Sequence, residues 1–337
     1  MIVLGVESSC DECAASVVAD GREVLSSVIA SQIEDHRPFY GVVPEIASRR
    51  HIETIQTVVR QALEEAGKSA AEMDGLAVTF RPGLIGSLLV GLSFVKGMAY
   101  ALEKPFVGVD HILAHLYAPH LERMIPYPYL GLLVSGGHTL IARVENFDSI
   151  EVLGTTIDDA CGEAFDKVAK HYDLGYPGGV AIDGLAAQGS AEAFRFPWPS
   201  LHKGEHSFDV SYSGLKTAAV NQLDQFWNRK FEKSKANIAA AFQAAAIDIL
   251  VDRVLKAASR TGLTTIVAGG GVAANSYLRK RLRERRDVQV IFPAVELCTD
   301  NAAMVAGLGC RLLLSGRRSG LDLTASARVA GLRRLYP

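Results

Sequence analysis

Apolar and polar positions along the chain fall into the same order of elements twice. "IVLGVES" (2–8), "AASVVAD" (14–20) and "EVLSSVIAS" (23–31) alternate around short polar turns, which predicts three strands, since neighbouring strand side chains face opposite sides. From about Val43 to Ala66 the spacing becomes helical. "GLAVTF" (75–80) reads as a buried strand, 84–102 as a second helix and "FVGVD" (106–110) as a strand. The order β-β-β-α-β-α-β then recurs. "YLGLLVS" (129–135), "TLIARVE" (139–145) and "SIEVLGT" (149–155) give three strands, followed by a helix from Asp158 and a helical, irregular insertion. The strand "TTIVAGG" (264–270), a helix over 273–286, the strand "VQVIFP" (288–293) and a helix from Thr299 complete the second copy.

A repeated supersecondary order predicts an α/β fold of two similar domains around a cleft. The first domain is expected over 1–108, completed by the C-terminal helix 299–315. The second is expected over 109–298 with its insertion, and 316–337 is a basic tail of uncertain order. Ligands of such sheets sit at the carboxyl ends of the strands.

Composition narrows the class. With 337 residues, 49% hydrophobic and 21% charged, the chain can bury a large core. No apolar run is expected to reach a membrane-spanning length, and the start has neither a basic stretch nor a small-residue cleavage site, so a cytoplasmic protein without a membrane partner is expected. The five cysteines are odd in number and scattered, as reduced core thiols are; Cys10 and Cys13 form one C-x-x-C without a second pair. Net charge is −2, so a nucleic-acid partner needs a local patch. "YLRKRLRERR" (277–286), with six basic residues against one acid, is the candidate.

Candidate chemistry lies between the elements. In "VDHILAHLYAPH" (109–120), His111 and His115 stand four apart and share one helical face, close enough to hold a metal together. "TDNAAM" (299–304) offers a third ligand in Asp300, at a predicted helix start. Two imidazoles and a carboxylate suit iron or zinc and leave positions open for substrate. Leu113 stands where a zinc peptidase helix would need its glutamate in H-E-x-x-H, which disfavours hydrolysis by that route. "VSGGHT" (134–139) is a tight turn in which adjacent glycines can form an anion nest, and "AGGGVAAN" (268–275) places three glycines between a strand and a helix start, open to a nucleotide. Neither a Walker nor a dinucleotide glycine pattern is present. In "DDACGEAFDKVAK" (158–170), Asp158 is expected to cap a helix on which Asp159, Glu163 and Asp166 share a face. "YPGGVAIDGLA" (176–186) places Asp183 to grip ribose hydroxyls.

Taken together, "VLGVESSCDECAASVV", "YGVVPEIASRRH", "PGLIGSLLVGLSFVKG", "HILAHLYAP", "LVSGGHT", "GEAFDKVAK", "YPGG", "SYSGLKTA", "GGGVAAN" and "CTDNAAM", in that order, resemble the TsaD family of tRNA adenosine threonylcarbamoyltransferases across nearly all of 1–312. The resemblance implies the duplicated ribonuclease-H-like fold of actin, the heat-shock ATPases and sugar kinases. It also implies transfer of a threonylcarbamoyl group from threonylcarbamoyl-AMP to N6 of the adenosine beside the tRNA anticodon. It places metal ligands on His111, His115 and Asp300, holding one divalent ion, iron(II) ahead of zinc(II). Substrate contacts fall on Leu133, Val134, Ser135, Gly136, Gly137, Asp166, Gly179, Asp183 and Asn275. TsaB-like and TsaE-like proteins are the implied partners.

Three positions depart from the family's pattern: Leu113 for a glutamate, one glycine fewer after Tyr40, and Arg81 for a glycine before Pro82. Asp11 and Glu12, in the first hairpin, are expected to steer the incoming amine or take its proton. The rivals are a small-molecule kinase of the same fold, disfavoured because "ESSCDE" replaces the kinase Asp-x-Gly-Thr, a metallopeptidase and a non-catalytic scaffold.

Overall fold

The computed structural model describes residues 1–198 and 207–328; the end of the basic tail, 329–337, lies outside the described residues. Two five-stranded mixed sheets carry the fold. The first consists of β1 (Ile2–Glu7), β2 (Glu12–Ala19), β3 (Glu23–Ser31), β4 (Gly75–Arg81) and β5 (Phe106–Asp110), in the order β3-β2-β1-β4-β5. The second consists of β6 (Tyr129–Val134), β7 (Thr139–Asn146), β8 (Ser149–Thr155), β9 (Thr265–Gly269) and β10 (Gln289–Ile291), in the order β10-β9-β6-β7-β8. Read from opposite edges the two orders coincide. In each sheet the first three strands are antiparallel neighbours and the central strand pairs in parallel with the fourth.

In the first half, α1 (Ile33–His36) and α2 (Pro44–Glu65) follow β3, α3 (Ile85–Leu102) follows β4, and α4 (His111–Tyr117) follows β5. In the second, α5 (Cys161–Tyr172) follows β8. Next come α6 (Gly178–Ala186), α7 (Ser213–Asn221), α8 (Leu223–Phe226) and the long α9 (Lys235–Thr261), and then α10 (Ser276–Arg283) and α11 (Ala302–Leu314). The expected helix over 273–286 is broken: Gly271–Ala274 is a separate 3-10 turn, and Asn275 caps α10 by accepting from the Leu278 N–H (3.0 Å).

Alternate side chains of each sheet point to opposite faces, and both faces are buried. On the first sheet, Leu4, Val6, Leu76 and Val78 pack under α2 and α3, while Val3, Ala77, Val107 and Val109 pack under α11. On the second, Leu130, Leu132 and Val134 meet α5 and α9, while Leu133, Leu140 and Val267 meet Ile112 and Leu116 of α4. The helix after the fifth strand therefore enters the space between the sheets in both copies. There α4 and α11 pack on each other, with Ala114 and Tyr117 against Met304 and Leu308. Glycine makes the fit close: a Cβ on Gly5 of β1 would stand 2.6 Å from the Ala302 carbonyl oxygen.

Contrary to the expectation that no run reaches such a length, α3 is by length and composition apolar enough to span a membrane. Here Leu92, Val95 and Ala99 are core residues against α2 and β4. Beyond α11 the described part of the tail is ordered along β5. The Ser319 N–H donates to Phe106 O (2.8 Å), and the Gly108 N–H donates to Ser319 Oγ (3.0 Å).

Candidate active site

The crossing of α4 and α11 sets the site. Asp110 caps α4, accepting from the Ile112 and Leu113 N–H groups (3.0 and 3.3 Å), and this turns His111 and His115 towards α11. At the other helix the cap is Asn301, which accepts from the Met304 N–H (3.0 Å), so the Asp300 carboxylate is free of that duty and faces the imidazoles. His115 Nε2 lies 3.0 Å and His111 Nε2 3.6 Å from Asp300 Oδ1, and the two rings meet edge to face at 4.5 Å. Ligand atoms about 2.1 Å from a tetrahedral ion stand roughly 3.4 Å apart, so this trio fits a metal of that size. Among the described residues it is the one group so placed.

Burial alone would lower the His111 pKa, but the carboxylates of Asp300 and Glu7 hold it up to about 9. Burial raises the Asp300 carboxyl and His111 then brings it well below its usual range; burial, then the His111 charge, lowers His115.

Two neighbours of the trio escape the sequence reading. Glu7, the last residue of β1 and fully buried, stands 3.0 Å from His111 Nδ1. His138, in the β6–β7 turn, brings a third imidazole to 6.4 Å from that of His111. Burial, then His111 and His115, push its pKa down to about 3. Both stand at the strand ends that flank the cleft, and that position was the available signal.

The glycine turns are more internal than expected. In "AGGG", a Cβ on Gly269 would stand 2.6 Å from the His115 carbonyl oxygen, and Gly270 (φ +89°) abuts the Val134 carbonyl; Gly271 alone is open. In the Ser135–Gly137 turn the Ser135 N–H is already donated to His138 O (2.8 Å). Neither Gly136 nor Gly137 takes the left-handed conformation of an αR–αL nest, although both are exposed. Leu133 and Val134 are wholly buried, backbone included, so the structure does not bring them to the surface of the cleft as ligand contacts.

Asp166 accepts from the Gly178 N–H (2.7 Å) beside the open Gly179, and burial pushes its carboxyl up to about 6. Asp183 accepts from Asn275 Nδ2 (3.2 Å), the Ser276 N–H (3.1 Å) and the Ser276 hydroxyl (2.7 Å), which ties α6 to the start of α10. Asn275 also donates to Gln243 Oε1 (3.0 Å). Asp158 does not cap α5, whose cap position is Ala160; it accepts from the Tyr212 and Ser213 N–H groups at the start of α7. Asp159 and Glu163 share Lys167 (2.7 and 2.8 Å).

The basic segment is partly spent inside the fold. Arg279 donates to Ala273 O and Pro293 O (2.8 and 2.9 Å), Arg281 pairs with Asp248 (2.7 Å), and Arg285 pairs with Asp287 (2.8 Å). Lys280, Arg283 and Arg286 are exposed. Of the three departures, Arg81 pairs with the capping Asp110 (3.0 Å) and Leu113 packs beside α11. Tyr40 reaches across to Asp173 (2.9 Å), joining the α1–α2 connection to the second half.

Glu12 opens β2 and accepts from the Ser31 hydroxyl (2.9 Å); burial, then the adjacent Asp11 charge, push its carboxyl up to about 8. Burial and then Asp300 raise Asp11 as well. A carboxyl whose folded pKa exceeds its ordinary 4.5 binds its proton more tightly when folded, so stability declines as pH rises from about 4.5 to about 8. Glu12→Gln carries no such proton. Its stability relative to the wild type is expected to improve between pH 5 and pH 9, as urea melts at both values will read; an unchanged difference counts against the raised value.

The sheets and their crossed helices define a duplicated ribonuclease-H-like α/β protein with its polar site between the halves. The fold agrees with that of HypF from T. kodakarensis (TM-score 0.63, 15% identity, 94% of this chain and 48% of that one). It also agrees with component A of (R)-2-hydroxyglutaryl-CoA dehydratase from Acidaminococcus fermentans (TM-score 0.55, 16% identity, 92% and 98%). The family "TsaD: tRNA N6-adenosine threonylcarbamoyltransferase" matches residues 23–307. The tRNA N6-adenosine threonylcarbamoyltransferase of Treponema denticola is 62% identical over 331 residues, 98% of each chain. That of Borreliella burgdorferi is 48% identical over 336 residues, 100% of this chain and 96% of the other. The chain belongs to the TsaD family.

Proposed function

We propose that this chain transfers the threonylcarbamoyl group of threonylcarbamoyl-AMP to N6 of the adenosine beside the tRNA anticodon. Membership of the TsaD family supports acyl transfer to tRNA and does not favour the kinase and peptidase alternatives. The observation that carries the reading is the convergence of His111, His115 and Asp300 where α4 meets α11, both imidazoles buried and Asp300 half-buried.

The adenine amino group is a weak nucleophile, because its lone pair is delocalised into the ring, while the carbamoyl-adenylate carries a good leaving group. The protein's work is then positioning and charge stabilisation. One divalent ion, iron(II) ahead of zinc(II), held by His111, His115 and Asp300, supplies Lewis-acid polarisation of substrate oxygens when bound. The open backbone at Gly136, Gly137 and Gly179, with Ser135, lines the adenylate. Asp166, Asp183 and Asn275 hold that wall in place. Asp11 and Glu12 orient the amine, and Glu12, titrating near 8, is suited to exchange a proton at neutral pH.

The setting is cytoplasmic, without a membrane, and the partners are TsaB-like and TsaE-like proteins. The exposed apolar side chains of Ile52, Ile85 and Leu89 on α2 and α3 support a protein partner, and exposed Lys280, Arg283 and Arg286 support contact with tRNA phosphates. Incubation of the chain and its partners with threonylcarbamoyl-AMP and unmodified tRNA is expected to yield N6-threonylcarbamoyladenosine on nucleoside mass spectrometry. Unmodified adenosine throughout defeats the reading.

A further inference from the structure

We infer that Glu7 is a positioning residue for the metal centre: its carboxylate fixes the proton of His111 on Nδ1 and so aims Nε2 at the ion. The inference rests on the reading of His111, His115 and Asp300 as metal ligands. Glu7 itself does not reach the ion's position; it stands behind His111, on the side of the ring away from Asp300.

Three donors converge on this fully buried side chain. The Ser9 N–H donates to Oε1 (2.6 Å), the Thr79 hydroxyl donates to Oε2 (2.6 Å), and His111 Nδ1 stands 3.0 Å from Oε2. Donors on both oxygens stabilise the ionised carboxylate, which can only accept, so the His111–Glu7 contact is assigned to an Nδ1–H donor. Ser9 Oγ, 3.2 Å from the same nitrogen, brackets it from a second side. With Nδ1 committed, Nε2 is left to point at Asp300. Carboxylates behind ligating imidazoles fix ring orientation and raise ligand basicity.

The placement also explains why the two histidines are unlike. Glu7 ends β1 and Thr79 lies on β4, so His111 is braced by the central strands of the first sheet. No described residue hydrogen-bonds the buried Nδ1 of His115, which is held by packing and by Asp300.

The test is zinc(II) binding in competition with a chromophoric chelator, on the full chain and on Glu7→Gln and His115→Ala, with thermal melts of each metal-free protein. The amide keeps the shape but cannot accept from three donors, so Glu7→Gln is expected to weaken zinc affinity about ten- to a hundredfold. Affinity within threefold of the wild type, while His115→Ala loses the metal, overturns the role of Glu7 and leaves the ligand reading standing. Failure of the wild type itself to bind zinc overturns both. Should Glu7→Gln not fold, 15N NMR of the zinc-loaded wild type decides. A protonated, hydrogen-bonded Nδ1 with metal on Nε2 is expected for His111, and coordination through Nδ1 sinks the inference.

Discussion

Replacing His115 by alanine is expected to lower threonylcarbamoyl transfer at least about a hundredfold, roughly 3 kcal/mol of lost transition-state stabilisation, with loss of bound metal. The structure makes this variant cleaner than the obvious His111→Ala. His115 touches one charged partner, Asp300 Oδ1 at 3.0 Å, and its removal leaves a small gap between α4 and α11. That gap should cost on the order of 1–3 kcal/mol, which a domain of this size tolerates. His111→Ala would also strip Glu7 of its imidazole and leave a buried carboxylate facing only Ser9 and Thr79. Unpairing a buried charge costs about 3–5 kcal/mol, so lost activity there would be confounded with lost fold. Transfer rate, metal content and melting temperature are the readouts. A folded His115→Ala protein that transfers at the wild-type rate removes the metal from the account.

The second large effect is expected at Gly270. Its backbone (φ +89°, ψ 159°) lies in a region open essentially to glycine, and an added Cβ would overlap the carbonyl of Val134, whose carbon stands 2.7 Å away. Gly270→Ala should therefore lose about 2–4 kcal/mol in urea denaturation, from strain and from spreading β6 away from β9. Gly269 rests on the His115 carbonyl, so the same displacement reaches the ligand helix and transfer should fall with stability. Gly271→Ala is the control. A Cβ there meets nothing within 4 Å, and its stability should stay within about 0.5 kcal/mol of the wild type. Equal behaviour of the two variants would refute the packing role given to this turn.

What the chain disclosed before folding follows physical range. The ten strands were legible because short alternating or wholly apolar runs between turn residues are a local signal, and the two copies were legible because the order of elements repeats. The histidine pair was legible because four residues make one helical turn. Asp300 could be named but not distinguished from a helix cap. That needed the adjacent Asn301, whose bond to the Met304 N–H relieves the aspartate of the task. Glu7 stayed hidden because its partner lies 104 positions away and is reached through strand order alone. Asp158 misled for the same reason: a carboxylate before a helical run reads as that helix's cap, yet its acceptors serve α7, more than fifty residues on. Local composition also overstated the freedom of 277–286, where Arg279 and Arg281 are drawn to two backbone carbonyls and Asp248, partners no periodicity could reveal.

One face of the first sheet is covered by α11, which is synthesised only after the second sheet. While the ribosome is still making the second half, Val3, Val18, Ala77 and Val107 therefore remain without their native cover, a surface that chaperones recognise and that nascent chains can stick by. Asp300 arrives with that same segment, so the nascent protein carries an imidazole pair without its carboxylate until the second sheet has been made. Completion of the His111–His115–Asp300 trio and burial of this face of the first sheet thus await the same segment.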